Sequence, residues 1–252
     1  MLQHVWERAS QTRYLTDLVI ATDDERIRAA AEDFGAKVIL TRADHASGTD
    51  RVAEAASASH ASIIVNIQGD EPMIDPFAID AAVLGMLHDE NIPMGTLKKR
   101  IEREHEINDP SVVKVVTNHQ GDALYFSRAP IPYYRDALHG TATVRERTHS
   151  APSLNKPPGE SSTYFKHIGL YVYRREFLLA YPDLPVGPLE QAERLEQLRA
   201  LENGFRIRVV ETEYESLGVD TPADWQMVSE LYERTFSDVV PKDVALTGKT
   251  KT

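Results

Sequence analysis

The sequence predicts an α/β fold built on a mixed, mainly parallel sheet flanked by helices, and three observations predict it. Short β-branched runs alternate with amphipathic stretches through the first half of the chain, which is the rhythm of βαβ units. The run Ile63-Ile64-Val65 reads as a strand buried on both faces of a parallel sheet. It stops in Asn66-Ile67-Gln68-Gly69-Asp70-Glu71-Pro72, a turn with two carboxylates. In open α/β sheets, ligands gather at that end of a strand.

Taken in order, Leu2, Val5, Trp6 and Ala9 have helical spacing, with no capping residue ahead of them. Residues 18–21 form a short strand. Asp23 or Asp24 caps a helix that turns Ile27, Ala30, Ala31 and Phe34 inward and ends at Gly35. Residues 37–40 return as a strand, and 49–58 form a helix leading into the Ile63 strand. A helix runs from Pro76 towards His88, followed by a strand over 94–97. Residues 112–116 and 123–127 flank a turn-rich Asn118-His119-Gln120-Gly121-Asp122 and predict a hairpin. Residues 136–163 carry no period and read as a flexible insertion. Residues 168–173 form a strand. Pro188 starts one helix with Leu189, Ala192, Leu195 and Leu198 inward, stopped by Gly204. Residues 205–210 form a last strand. Asp220 or Thr221 caps a final helix with Trp225, Val228, Leu231 and Tyr232 as its buried stripe. The whole reads as a single domain over 1–236 with a polar tail over 237–252.

Composition narrows the partners. Of 252 residues, 42% are hydrophobic and 27% charged, which suffices for a sizeable core. With 0 cysteines, disulfides and thiolate metal sites are excluded, and the reducing cytoplasm fits. A net charge of −11 argues against a nucleic-acid surface, which needs a basic face. No apolar run approaches membrane-spanning length, so a membrane is not an expected partner. A small anionic ligand would need a local cluster of Arg, Lys or metal.

Several segments carry candidate chemistry. In the loop from Thr41 to Arg51, Gly48 lets the backbone approach a ligand at a helix N-terminus; a structural capping loop accounts for the same residues. Arg128 and Arg135 sit on a proline-stiffened segment, and arginine forks match carboxylates. His167 and Tyr171 share one face of a strand by period-two alternation. Glu196 and Gln197 read by position as a solvated helix face. Asp220 stands at a helix start, the usual place of a cap; paired in space with Asp70, it would complete a two-carboxylate site for Mg²⁺.

In order along the chain, TRADHASGTDR, NIQGDEP, KVV, YFSRAPIPY, KHIGLY, LEQLR and GVDTPAD resemble the 3-deoxy-manno-octulosonate cytidylyltransferases, or CMP-Kdo synthetases. The resemblance implies a Rossmann-like, glycosyltransferase-A-like nucleotidyltransferase with a small antiparallel subregion for dimerisation and sugar binding. It implies transfer of CMP from CTP to the acid sugar Kdo, with release of pyrophosphate, for lipopolysaccharide biosynthesis. Such enzymes are cytoplasmic, Mg²⁺-dependent homodimers. Carried over by motif, Asp70 and Asp220 are the catalytic metal ligands. Arg42, Ser47, Gly48, Thr49 and Gln68 surround the cytidine and ribose. Arg128 and Arg135 clamp the sugar carboxylate, while His167, Tyr171, Glu196 and Gln197 read its hydroxyls.

One departure accompanies the match. The family opens with a central strand and a basic loop of the form PAR-x-x-S-x-R-L-P-G-K-P-L, and no segment here supplies either. That strand would lie between the Leu18 and Ile63 strands, so its loss is expected to leave two rows of backbone groups unpaired. The sequence thus reads as a shortened chain whose activity is doubtful without that loop. Two alternatives stand beside this reading: a cytidylyltransferase for another acid sugar of the sialic acid type, and a non-catalytic dimerising remnant.

Overall fold

A computed structural model describes residues 1–135, 163–219 and 221–236; the predicted insertion up to residue 162, the tail and Asp220 lie outside the described residues. The elements are α1 (Leu2–Ala9), β1 (Val19–Thr22), α2 (Glu25–Asp33), β2 (Lys37–Leu40), α3 (Gly48–Ser57), β3 (Ile63–Asn66), α4 (Pro76–Leu87) and β4 (Met94–Arg100). They continue as α5 (His105–Asn108), β5 (Lys114–Thr117), β6 (Ala123–Ser127), β7 (Phe165–Arg174), α6 (Arg175–Ala180), a 3-10 turn (Tyr181–Asp183), α7 (Pro188–Glu193), α8 (Leu198–Glu202), β8 (Ile207–Glu211) and α9 (Pro222–Phe236).

The predicted mixed sheet with flanking helices is present. Six strands form it in the order β6-β5-β7-β4-β8, with β3 also paired to β7. The parallel content is smaller than the βαβ rhythm predicts: β4–β8 and β1–β2 are parallel, while β3, β4 and β5 all meet β7 antiparallel. The cause is the length of β7, whose 10 residues return through the sheet and serve three partners. The Ile63 strand is therefore antiparallel to its neighbour, and only Asn66 of its four residues is fully buried.

β1 and β2 form a separate two-stranded pair. β1 and β3 do not close up on each other; among the described residues, each keeps one edge without a strand partner. β4, in contrast, is bonded along both edges. Peptides covering β1 and β3 are therefore expected to exchange amide hydrogens on the order of 10²-fold faster than those covering β4. Hydrogen-exchange mass spectrometry checks this; equal protection of all three would show that the open edges are covered.

Alternation along β7 sends Ile168, Leu170 and Val172 into a cluster with Val5, Ile79, Val83, Met86 and Leu97. Tyr173 turns to a second cluster with Phe126, Leu178, Tyr181, Leu198 and Ile207. α4 lies so close on β4 that a Cβ at Gly95 would meet Met86 Sδ at 2.8 Å. Among the described residues, no helix is long and apolar enough to cross a membrane.

Three predicted faces are corrected. On α2, only Ala31 is buried; Ile27 and Ala30 are exposed and line an apolar groove with Leu2 and Phe34, because nothing packs over them among the described residues. On α9, Val228 is buried but Trp225 is 44% exposed, since the helix leans on α1 through the His4–Tyr232 ring stack instead. The single helix predicted from Pro188 is two helices, α7 and α8, broken where Arg194 takes a left-handed φ of 53°. Groups from elsewhere take up the carbonyls released at the break. Arg128 donates to the Glu193 and Arg194 carbonyls at 2.7 and 3.4 Å, and the Tyr181 hydroxyl donates to that of Glu196 at 2.7 Å.

Candidate active site

The helix break matters because of where it turns Glu196. The Ser47 hydroxyl donates to Glu196 Oε1 at 3.0 Å, and that of Thr49 donates to Oε2 at 3.1 Å. Ser47 also caps α3, its Oγ accepting the Asp50 N–H at 3.2 Å. The loop is thus a cap, as the plainer reading holds, and a bridge to the chain segment that carries Glu196. Burial pushes the Glu196 carboxyl above its ordinary pKa, opposed by the two hydroxyls. Gln197 is 4% exposed, so the solvated-face reading of this pair is corrected. Beside them a Cβ on Gly48 would meet no atom within 4 Å, which leaves open space at the N-terminus of α3.

A line of rings on β7 continues the site. His167 and Tyr171 share a face as alternation predicts, with ring centroids 5.4 Å apart, and Tyr173 follows at 6.1 Å. The Tyr173 hydroxyl is raised mainly by burial. Burial likewise raises Tyr171 well above the ordinary tyrosine value. It pushes His167 down to about 3, so this imidazole is neutral at working pH.

That shift carries a stability consequence with a definite sign. The unfolded chain protonates His167 near 6.5 and the folded chain near 3. Between those values the unfolded state holds the extra proton, so stability falls as the pH drops, by about 1.4 kcal/mol per unit. His167→Gln is expected to flatten the acid side of the stability profile by up to that slope. Urea unfolding at a series of pH values measures it.

At the other end of the site, the Asp70 carbonyl accepts the Val219 N–H at 3.0 Å. The turn after β3 and the segment before α9 are therefore in direct contact. Asp70 is half-buried, and no hydrogen bond or ion pair engages its carboxylate among the described residues. Glu71 behind it is buried and accepts from the Tyr214 and Ser216 hydroxyls at 2.9 and 2.7 Å. Burial raises the Glu71 pKa. The segment before α9 is further held by a charge cluster. Lys99 and Arg103 meet Glu215 at 3.0 and 2.8 Å, and Lys166 joins Glu215 to Glu106. No periodicity marks Tyr214, Ser216 or Glu215, and the fastening role of Glu71 has no local signature.

The remaining arginines are placed differently. Arg42 is an exposed side chain whose guanidinium lies 3.5 Å from Asp44; its N–H donates to Glu54 Oε2 at 3.2 Å. Glu54 also binds the His45 ring, which holds the loop in shape. Gln68 is exposed at the turn after β3. Arg128 spends its fork on the carbonyls of Glu193, Pro110 and Arg194, and its N–H on Glu193 Oε2 at 2.9 Å. Arg135 is exposed at the edge of the described residues. The structure thus joins Ser47 and Thr49 with Glu196, and His167 with Tyr171, but does not converge Arg128 and Arg135 on one point.

Comparison with known proteins gives this arrangement its context. The sequence profile of the cytidylyltransferases matches residues 1–209. A 3-deoxy-manno-octulosonate cytidylyltransferase of Solibacter usitatus is 64% identical over 236 residues, covering 94% of this chain and 85% of that protein. One from Geobacter metallireducens is 51% identical over 234 residues, or 93% of this chain and 88% of that protein. A solved CMP:2-keto-3-deoxy-manno-octonic acid synthetase complexed with CTP has a TM-score of 0.81 at 42% identity, covering 93% of this chain and 88% of that one. A cytidylyltransferase from Leptospira borgpetersenii, at 14% identity and a TM-score of 0.52, shares the fold alone. The chain belongs to the cytidylyltransferase family, among its 3-deoxy-manno-octulosonate cytidylyltransferases.

Proposed function

We propose that this protein transfers CMP from CTP to Kdo. The anomeric oxygen of the sugar acid attacks the α-phosphorus of CTP, a new P–O bond forms, and the α–β phosphoanhydride bond breaks with release of pyrophosphate. The observation that carries the reading is Glu196, held by Ser47 and Thr49. It couples the loop proposed for the nucleotide to the segment proposed for the sugar, so the two substrates would be placed side by side.

In this reading Arg42, Ser47, Gly48, Thr49 and Gln68 surround the cytidine and ribose, with the free N–H groups of α3 turned to the ligand. His167, Tyr171, Glu196 and Gln197 read sugar hydroxyls, and unpaired buried groups would penalise an analogue lacking one. Arg135 is the exposed arm toward the sugar carboxylate, while Arg128 anchors the segment that carries it. Asp70 fits a hard cation, because its carboxylate is half-buried, unneutralised among the described residues and next to a second carboxylate, Glu71. Asp70 and Asp220 would hold Mg²⁺, which supplies charge neutralisation at phosphate oxygens. We further propose that the enzyme works as a cytoplasmic homodimer for lipopolysaccharide assembly. Cations for the triphosphate would come from a basic loop of the form PAR-x-x-S-x-R-L-P-G-K-P-L; β1 and β3 each keep one edge without a strand partner among the described residues.

Pyrophosphate release tests the proposal, with CTP plus Kdo against CTP plus sialic acid. It is run on this chain and on one preceded by a PAR-x-x-S-x-R-L-P-G-K-P-L segment. Release with Kdo is the expected result. Use of sialic acid in preference would replace the sugar, and a folded dimer inactive in both forms would mark a non-catalytic protein.

A further inference from the structure

Thr96 is fully buried in β4 and faces an irregularity in the sheet. Opposite it the register of β7 slips, so that Thr96 pairs with Tyr171 and Leu97 with Ile168. The slip turns two β7 carbonyls onto one hydroxyl: Thr96 Oγ1 lies 3.0 Å from the Ile168 oxygen and 2.8 Å from the Leu170 oxygen. A third neighbour is His167 Nε2, at 2.9 Å.

A hydroxyl has one hydrogen, and a carbonyl oxygen can only accept it. If that hydrogen went to Nε2, both carbonyls would face oxygen lone pairs at hydrogen-bond distance. If it goes to a carbonyl, Nε2 must carry a hydrogen and donate it to Oγ1. The second arrangement pairs both donors and leaves one carbonyl, rather than two, without this hydrogen. The neutral imidazole then has a bare Nδ1, and among the described residues no protein group bonds that atom.

We propose that Thr96 is a positioning residue that fixes His167 as the Nε2–H tautomer, so that Nδ1 accepts a hydroxyl hydrogen from the sugar acid. The second half rests on the function proposed above; the tautomer itself does not. The polarity is specific. His167 receives a hydrogen rather than giving one, so a sugar whose matching hydroxyl is methylated or removed loses this bond.

Long-range proton–nitrogen NMR of the ¹⁵N-labelled chain reads the tautomer directly, without substrate. The expected pattern is a protonated Nε2 and a bare Nδ1 on His167; a protonated Nδ1 overturns the proposal. Thr96→Val keeps the shape and removes the acceptor. It is expected to mix the tautomers and raise KM for Kdo about tenfold, with KM for CTP unchanged. Thr96→Ser is expected to restore both, and it keeps the test intact if the valine variant folds poorly. An unaltered tautomer in a folded Thr96→Val protein overturns the role of Thr96. A shifted tautomer with unchanged KM for Kdo overturns the placement of His167 at the sugar and leaves the tautomer assignment standing.

Discussion

Asp70→Asn is expected to lower turnover with CTP and Kdo on the order of 10²–10³-fold while the protein stays folded. The substitution keeps the shape of the side chain and deletes its charge. Structurally, the chain uses the backbone of Asp70, whose carbonyl takes the Val219 N–H at 3.0 Å, and asparagine supplies the same carbonyl. The carboxylate itself engages no described partner, so removing its charge breaks no ion pair in the structure. Its neighbour Glu71 provides the control. Glu71 holds the Tyr214 and Ser216 hydroxyls, so Glu71→Ala leaves the buried Tyr214 hydroxyl and the half-buried Ser216 hydroxyl without their acceptor. That variant is expected to lose stability, at about 1–3 kcal/mol per unsatisfied group. Steady-state pyrophosphate release and urea unfolding of both variants separate the roles. Near-normal turnover in Asp70→Asn would remove Asp70 from the metal site.

How far these residues were legible in the sequence depends on the range of the contacts that place them. The helices α1 to α4 and the strands between them follow from local spacing and from caps such as Asp24 and Ser47, which act within one turn. His167 and Tyr171 share a face because a strand alternates, whatever it pairs with. Pairing is another matter. That β7 lies antiparallel to β3, β4 and β5 depends on a return through the sheet from far along the chain, and hydrophobic runs carry no direction. Glu196 shows the same limit more sharply. Helical periodicity puts it on a solvated face, and only the motif resemblance pointed to a site. What turns it inward is the break at Arg194, held by Arg128 and Tyr181, and neither of those residues is near it in sequence.

Glu196→Ala should therefore cost activity in two places at once. Ser47 and Thr49 both spend their hydroxyl hydrogens on this carboxylate, at 3.0 and 3.1 Å. Truncation leaves those hydroxyls to find other partners and frees the loop that caps α3, so KM for CTP and for Kdo are both expected to rise. The loss in kcat/KM for Kdo is expected to be on the order of 10²-fold, within what about 1–3 kcal/mol per unsatisfied polar group amounts to. Glu196→Gln distinguishes contact from charge. An amide oxygen still accepts from one hydroxyl, so KM for CTP should return toward the parent value while Kdo use stays impaired. Stability should move the opposite way from activity. Burial raises the Glu196 pKa, so its charged form is disfavoured in the folded state, and that cost is present above the folded pKa and fades as protonation sets in. Glutamine removes the buried charge, and Glu196→Gln is expected to unfold in urea no earlier than the parent at pH 8. Separate KM values for the two substrates, measured for both variants, check the argument. A Glu196→Ala enzyme that bound CTP normally would break the link between the helix α3 loop and this carboxylate on which the placement of the two substrates depends.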